Sequence, residues 1–303
     1  MKLTNRKPNF YVIGAQKAGT TSLHNYLSCH PEIYLPARKE SKYFVMDRRY
    51  AKGFSHYLDE NYAAVAGQKM IGEVDPDYMY FECAIERMTH HFDLRDLKLV
   101  IVLRNPADRA FSHYLMTYRR GLETLSFEDA ISCEDERLSK SIGEDKIFHN
   151  RMHYSYIDRG FYYKQVSRLL DYIDFENLHF VLSDDLKNKP RESLAQIYNF
   201  LDVDKSFENS KVETHHHRAT APRNVQMIKW LNNKNSPLKN VLKTLFPSEA
   251  IRARLREYLL HKNLSDARVP TLRSDTRDIL QDLYCDDIAS LGRLTGLNFE
   301  RWA

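Results

Sequence analysis

The segment Gly14–Thr21, with the sequence GAQKAGTT, is the feature that most constrains the fold of this chain. It follows a short apolar run, Asn9–Gly14, which predicts a buried parallel strand. It leads into Thr20–Cys29, where apolar residues recur at helical spacing until Pro31 ends the pattern. Glycines let such a connection turn tightly and bring backbone N–H groups close to a ligand, and the start of a helix adds partial positive charge. The segment therefore predicts an anion-binding loop between a strand and a helix.

The chemistry of this loop differs from that of the nucleotide-triphosphatase P-loop, although its two glycines and Thr21 share that spacing. In the P-loop, Lys comes immediately after the second Gly, whereas here Thr20 holds that position and the loop lysine is Lys17. A site for a triphosphate with magnesium also needs an acidic residue at the end of a neighbouring strand. The most apolar predicted strand ends instead at Arg104, so the loop is expected to bind anions without a metal ion.

Three further apolar runs predict buried strands, and the segments between and after them have helical periodicity. The strands are Lys69–Glu73, Leu97–Leu103 and Asn177–Ser183. The helices are the segment that starts at Pro106, and Tyr162–Ile173, Ser193–Leu201 and Thr271–Leu294. Asn105 is the expected N-cap of the first of these helices. Strands that alternate with helices predict an α/β fold with a central parallel sheet flanked by helices.

The rest of the sequence gives no sign of a domain boundary. In the last helix, four apolar residues are expected to face the interior: Ile279, Leu283, Ile288 and Leu291. Asp204–Asn224 lacks periodicity and is predicted to be a loop. Because the sequence has no internal repeat, no low-complexity tract and no convincing linker, residues 1–303 are predicted to form a single domain.

The composition excludes several classes of protein. Apolar residues make up 43% of the chain and charged residues 28%, with a formal net charge of +4, which is typical of a soluble protein. Basic residues are interleaved with acidic ones, so no nucleic-acid partner is predicted. The four cysteines are far apart, which favours free thiols over a zinc site. No apolar run resembles a signal peptide or approaches the ~18 residues that span a bilayer, so we expect a cytoplasmic protein without a transmembrane segment.

Several motifs, in order along most of the chain, resemble those of sulfotransferases that use 3′-phosphoadenosine 5′-phosphosulfate (PAPS). Ala15–Leu23 resembles their 5′-phosphosulfate loop, and Val102–Pro106 with Arg109 and Ser112 resembles their 3′-phosphate motif. Other segments similar to family motifs are Lys39–Phe44, Gly72–Tyr78, Arg159–Tyr162, Asp184–Leu186 and the C-terminal Arg277–Trp302, which looks like that of bacterial members. The resemblance implies the P-loop-like sulfotransferase fold and transfer of a sulfuryl group.

The resemblance also implies PAPS as co-substrate, no metal, and a set of nucleotide contacts. Lys17 is expected to contact the 5′-phosphosulfate and to stabilise the leaving phosphate during in-line displacement. Arg104 and Ser112 are expected to bind the 3′-phosphate, for which the donor fork of Arg is well suited. Arg218 and Arg223 are expected to reach phosphate from a flexible segment over the nucleotide. The full set of expected cofactor-binding residues is Gly14, Gln16, Lys17, Ala18, Gly19, Thr20, Thr21, Ser22, Arg104, Ser112, Tyr162, Arg218 and Arg223.

A general base would remove the proton of the acceptor, and Glu73 is the first candidate. It ends a predicted strand at the edge where open α/β sheets bind ligands, and it matches the base of several family branches. His56 is the rival, because other branches use histidine; His24 and His113 are further candidates by position. Val74 stands where the glycosaminoglycan-modifying branch usually has Lys, and this departure argues against a heparan-like substrate.

Other interpretations of the residues on the acceptor side stay open. Glu73 is alternatively a structural carboxylate that pairs with Lys17 or Lys39, and Asp75 or Asp77 could replace it as the base. Lys39 and Glu40 either shape the acceptor side or form a structural pair.

Two other classes of function stay open as well. A P-loop kinase or nucleotide triphosphatase is disfavoured by the position of Lys17, and a non-catalytic phosphonucleotide-binding protein by the presence of both Lys17 and Glu73. The acceptor is a small molecule, a lipid or a carbohydrate, with a hydroxyl or an amine as nucleophile, and a homo-oligomer is left open. Adjacent loop residues such as His215–His217 rarely converge on one ion, so no metal site is predicted.

Overall fold

The central feature of the structure is a parallel five-stranded sheet with the order β2-β3-β1-β4-β5. Its strands are β1 (Phe10–Gly14), β2 (Ile33–Tyr34), β3 (Met70–Val74), β4 (Lys98–Leu103) and β5 (Leu178–Leu182). Four of these strands are predicted from the sequence, and β2 is not, because a two-residue strand is too short to show an apolar pattern. The predicted α/β fold class is confirmed.

The computed structural model describes residues 7–139, 144–209, 221–222, 264–265 and 270–302. The chain divides into two compact units. One comprises Met1–Arg109, Phe161–His215 and Tyr284–Ala303, and the other comprises Ala110–Gly160 and His216–Leu283. The whole five-stranded sheet and the Gly14–Thr21 loop belong to the first of these units.

The position of β1 in the middle of the sheet brings three functional segments to one edge. Tyr11 of β1 is in register with Glu73 of β3 and with Leu99 of β4. Phe10 of β1 is in register with Gly72 of β3. Gly72 makes room for the Phe10 side chain, because a Cβ at this position would lie 2.4 Å from its ring. Since all three strands are parallel, the segments that follow them meet at the carboxyl edge of the sheet, where open α/β sheets bind ligands.

Helices connect and cover the strands, as the alternating pattern predicts. In chain order they are α1 (Thr20–Leu27), α2 (Asp47–Tyr50), α3 (Phe54–Tyr62), α4 (Glu82–Thr89), α5 (Pro106–Arg119), α6 (Phe127–Ser132), α7 (Glu134–Ser139), α8 (Glu144–His153), α9 (Tyr162–Leu170), α10 (Ser183–Asn188), α11 (Pro190–Leu201) and α12 (Ser274–Thr295). Within the described ranges, no helix is both long and apolar enough to cross a membrane.

The start of α5 has the capping geometry that the sequence predicts. The Oδ1 atom of Asn105 accepts hydrogen bonds from the backbone N–H groups of Ala107 at 3.0 Å and Asp108 at 3.2 Å. Pro106 occupies the first helical position, where its missing N–H removes no intrahelical bond. This cap fixes the direction in which the chain leaves β4, and therefore the position of Arg104.

The second unit is organised around a buried carboxylate. Glu123 is 1% exposed and accepts hydrogen bonds from Arg137 Nη1 at 2.5 Å and from the Tyr156 hydroxyl at 3.0 Å. The Tyr156 hydroxyl also lies 2.8 Å from Thr117 Oγ1. A buried carboxylate is tolerated here because a guanidinium and a phenol both satisfy it.

Two local predictions are wrong. On α12, Ile279 and Leu283 were expected to face the interior, but they are 65% and 45% exposed. The residues that follow each of them, Leu280 and Tyr284, are buried instead, whereas Leu291 is buried as expected. In the first turns the inward face is therefore shifted by one residue. A face that mixes apolar and polar residues leaves this rotation undetermined by periodicity alone. Within the predicted loop, Ala221–Pro222 pairs with Leu264–Ser265 as a short antiparallel ladder, a long-range contact that no local pattern reports.

Candidate active site

The loop between β1 and α1 is held against β4 at its start. The Ala15 backbone N–H donates to the Val102 carbonyl at 2.6 Å. Gly14 leaves room for the side chain of Met79, because a Cβ there would lie 2.7 Å from the sulfur of Met79. Gly19, with a φ of 101°, is the N-cap residue of α1 and has no side chain with which to cap the first turn. The N–H groups of that turn are therefore directed into the loop, as anion binding at a helix start requires.

Arg104 lies directly beside this loop. Its Nη1 donates to the backbone carbonyl of Lys17 at 3.1 Å, which places the guanidinium against the loop. The Tyr162 hydroxyl donates to the Arg104 carbonyl at 2.9 Å, and burial raises the pKa of Tyr162 to about 12, which keeps it a neutral donor. The adjacent Asn105 donates through Nδ2 to the Trp302 carbonyl at 3.1 Å, which attaches the C-terminal segment behind the site.

The remaining predicted nucleotide residues fall in different parts of the chain. Thr20 is buried and Thr21 exposed at the start of α1. Ser112 lies on α5 and belongs to the second unit, so its role stays a prediction. Arg218, Arg223 and the histidines His215–His217 lie outside the described residues.

Glu73 is enclosed by hydrogen-bond donors. Its side chain is 1% exposed, and its Oε1 accepts the Ser41 backbone N–H at 2.6 Å. Its Oε2 accepts the hydroxyls of Tyr57 at 2.7 Å and Tyr78 at 3.1 Å. Burial, with a further contribution from the Glu73 carboxylate, raises the pKa of both tyrosines well above the ordinary value, so both remain donors. The partners of Glu73 are thus a backbone amide and phenols, where the sequence suggested Lys17 or Lys39.

A second carboxylate cluster lies next to Glu73, around Lys42. Lys42 Nζ donates to Asp75 Oδ1 at 2.7 Å and to Asp77 Oδ2 at 2.5 Å, and it lies 3.0 Å from Glu40 Oε2. Although burial opposes it, Asp75 and Asp77 raise the pKa of Lys42. Burial raises the pKa of Asp75 to about 7 against the attraction of Lys42, and the neighbouring Asp77 and Glu73 carboxylates add to it. One ammonium thus faces three carboxylates, and the raised pKa of Asp75 favours protonation of that carboxyl near neutral pH.

The histidine candidates differ sharply in their surroundings. His24 is 8% exposed on α1, and burial, assisted by the Lys39 ammonium, lowers its pKa to about 4, so the ring is neutral at pH 7. Its buried Nδ1 has no hydrogen-bond partner among the described residues. His56 is on α3 with half of its side chain exposed, and its Nε2 lies 3.9 Å from Glu60 Oε2. His113 is fully buried on α5 in the second unit.

Lys39 and Glu40 are bonded to each other, Nζ to Oε1. Although burial opposes it, Lys42 and Lys39 lower the pKa of Glu40, which therefore stays ionised between the two ammonium groups. Both charges also act on the pKa of His24, on the helix that follows the loop: Lys39 lowers it and Glu40 raises it.

Comparison with known proteins identifies the family of the chain. A family model described as the sulfotransferase domain matches residues 7–246, which is most of the chain. The chain belongs to the sulfotransferase family. The loop, Arg104, Glu73 and the Lys42 cluster all lie within the matched residues of this sulfotransferase domain.

Relatives and a solved structure agree with this assignment. A membrane-associated sulfotransferase of Dictyostelium discoideum is 24% identical over 65% of this chain and 56% of its own length. Heparan sulfate glucosamine 3-O-sulfotransferase 5 of Mus musculus is 28% identical over 66% of this chain and 55% of its own length. The chain therefore spans little more than half the length of these curated relatives. A crystal structure of a sulfotransferase from Alicyclobacillus acidocaldarius has the same fold, with a TM-score of 0.68, 24% identity and 98% coverage of both chains.

Sequence reasoning missed the residues that hold Glu73 in place. Ser41 lies in the segment before α2 and Tyr57 lies on α3, 32 and 16 positions away from Glu73 in the chain, so no local pattern indicates that they meet it. Lys42 was part of a recognised motif, yet only the structure shows that it neutralises Asp75 and Asp77. The segment Gly72–Tyr78 contains three carboxylates, and buried charges need partners. This excess of negative charge is the signal that could have indicated a buried lysine nearby.

Proposed function

We propose that this chain transfers a sulfuryl group from PAPS to the hydroxyl or amine of an acceptor. The observation that carries the proposal is the contact of Arg104 with the Lys17 backbone carbonyl, in a loop that leads to an uncapped helix start in a sulfotransferase domain. Two cations and a row of N–H groups at one sheet edge suit a ligand with phosphate groups at two positions. Arg104 follows β4, where a magnesium-dependent phosphate site would use an acidic residue. The carboxylates at the end of β3 are bonded to donors of the chain itself: Glu73 to the Ser41 N–H, and Asp75 and Asp77 to Lys42.

In the proposed reaction the acceptor oxygen or nitrogen attacks sulfur in line with the bridging oxygen of the 5′-phosphosulfate. The bond from sulfur to that oxygen breaks, and adenosine 3′,5′-bisphosphate (PAP) leaves. Lys17 stabilises the charge that develops on the leaving oxygen, and the N–H groups after Gly19, with Thr20 and Thr21, hold the 5′-phosphate. Arg104 binds the 3′-phosphate.

Glu73 accepts the acceptor's proton in this proposal. A positioned base typically contributes about 10²–10⁴-fold to the rate. Its Oε2 is shared by Tyr57 and Tyr78, so the incoming acceptor has to take the place of one phenol. The Ser41 N–H bond to Oε1 keeps the carboxylate oriented while this exchange occurs.

An acceptor screen with PAPS labelled in its sulfuryl group tests the proposal. We expect label to be transferred to at least one hydroxyl- or amine-bearing compound, and transfer to persist in EDTA. A parallel titration should show binding of PAP and none of ATP with magnesium. Binding of ATP with magnesium in preference to PAP, or activity that needs magnesium, would instead favour a kinase or triphosphatase.

A further inference from the structure

A cavity of about 390 Å³ lies on the acceptor side of Glu73, apart from the proposed nucleotide contacts. Its walls come from the segment after β2, from α2 and the residues that follow it, and from α3. This volume falls in the range of about 300–1,000 Å³ that is typical of small-molecule sites.

The cavity is strongly cationic. It is lined by Arg38, Arg48, Arg49 and Lys52, and among its described lining residues the one carboxylate is Glu60. That carboxylate lies 3.7 Å from Arg38 Nη1. Among the described residues, no carboxylate lies within ion-pair distance of Arg48, Arg49 or Lys52. The cavity thus keeps an excess of positive charge.

One of these charges, Arg49, is held in place by a hydrogen bond to the chain. Arg49 Nη1 donates to the Ser41 carbonyl, which fixes the guanidinium at the cavity wall. Partial burial, together with the charges of Arg38 and Arg48, lowers the pKa of Arg49. Holding three guanidinium groups near one another is unfavourable unless an anion offsets their repulsion.

The cavity is connected to the proposed base through two of its walls. Ser41 and Tyr57 line the cavity, and each donates a hydrogen bond to Glu73, one to each carboxylate oxygen. A molecule in the cavity is therefore one residue away from Glu73, and displacement of the Tyr57 hydroxyl would give it direct access to Oε2.

We propose that this cavity binds an anionic group of the acceptor, a carboxylate, phosphate or sulfate, and thereby directs the acceptor's nucleophile towards Glu73. This inference rests on the proposed sulfuryl transfer and deepens it, because it assigns the acceptor to the class of compounds that already carry negative charge. The residues that select this class are the cavity cations, above all Arg48 and Lys52, which are exposed and make no side-chain hydrogen bond or ion pair with another described residue.

The test compares two ligands that differ in one group, p-nitrophenyl β-D-glucuronide and p-nitrophenyl β-D-glucoside. Calorimetry on PAP-saturated protein measures the affinity of each. We expect the glucuronide to bind at least about 10-fold more tightly, since one charge-assisted contact contributes that much. The double variant Arg48→Gln/Lys52→Gln should lose this preference and keep the affinity for PAP.

A matched control removes two positive charges elsewhere. Lys69→Gln/Arg95→Gln changes two exposed residues that precede β3 and β4, at the opposite edge of the sheet, and should retain the preference for the glucuronide. The inference is overturned if the wild type binds the two ligands equally or binds neither of them. It is also overturned if the cavity variant still prefers the glucuronide. Failure of PAP to bind would reject the proposed function instead, and titration without nucleotide would still test the cavity.

Discussion

Replacing Glu73 with Gln keeps the size of the side chain and removes its ability to accept a proton. The carboxylate is buried and accepts three hydrogen bonds, from Ser41, Tyr57 and Tyr78. Loss of a general base should lower turnover about 10²–10⁴-fold, which corresponds to about 3–5 kcal/mol of transition-state stabilisation. Affinity for PAP should stay unchanged, because none of the three donors belongs to the nucleotide loop.

The same substitution also has a structural cost, which can be separated from the catalytic one. Bonds to a carboxylate contribute about 1.5–3 kcal/mol and bonds to a neutral amide about 0.5–1.5 kcal/mol, so Glu73→Gln should lower the free energy of unfolding by a few kcal/mol. Tyr78→Phe removes one of the three bonds and leaves the carboxylate, so it should cost about 1–2 kcal/mol of stability with a much smaller loss of turnover.

Urea unfolding and turnover of labelled PAPS are measured on both variants. A folded Glu73→Gln protein with turnover within a few-fold of the wild type would refute the role of Glu73 as base. The neutral ring of His24 would then be the next candidate to test.

Two further predictions concern a cation of the loop and a carboxylate of the Lys42 cluster. Lys17→Ala should lower turnover by orders of magnitude and PAP affinity much less, because Lys17 is assigned to the charge that develops on the leaving oxygen. Single-turnover rates and calorimetric affinities measure the two losses, and equal losses would contradict this role. Asp75 binds its proton more tightly in the folded state, with a pKa of about 7 against about 4 unfolded. Between these values the wild type should therefore lose stability as pH rises, by at most about 1.4 kcal/mol per pH unit, and Asp75→Asn should lack this slope. Identical pH profiles of urea unfolding for the two proteins would refute the assignment of Asp75.

Features that depend on neighbouring residues were predictable from the sequence. The strand before Gly14, the helix after it and the Asn105 cap follow from local apolar runs, glycine and a capping side chain. The convergence of the loop and Arg104 also followed, because parallel strands end at one edge of the sheet.

Features that depend on distant contacts were not predictable. Two of the donors around Glu73, Ser41 and Tyr57, lie far from it in the chain. Tertiary contacts set the path of the segment that contains Ser41, notably the backbone N–H bonds of Ser41 and Lys42 to Glu73 and Asp75. For the same reason periodicity placed Ile279 on the inward face of α12, where packing selects Leu280. His56 was chosen from its motif, yet burial distinguishes His24, and burial is a property of the folded chain.

The central claim is that Arg104 makes this loop a site for a nucleotide with a 3′-phosphate. Calorimetry with PAP and with adenosine 5′-phosphate, on the wild type and on Arg104→Ala, tests it most directly. One charge-assisted contact contributes roughly 1.5–3 kcal/mol, so the wild type should prefer PAP by about 10- to 150-fold. In Arg104→Ala the preference should collapse while binding of adenosine 5′-phosphate changes little. Equal affinity of the wild type for the two nucleotides would contradict the account and leave only a generic phosphate loop.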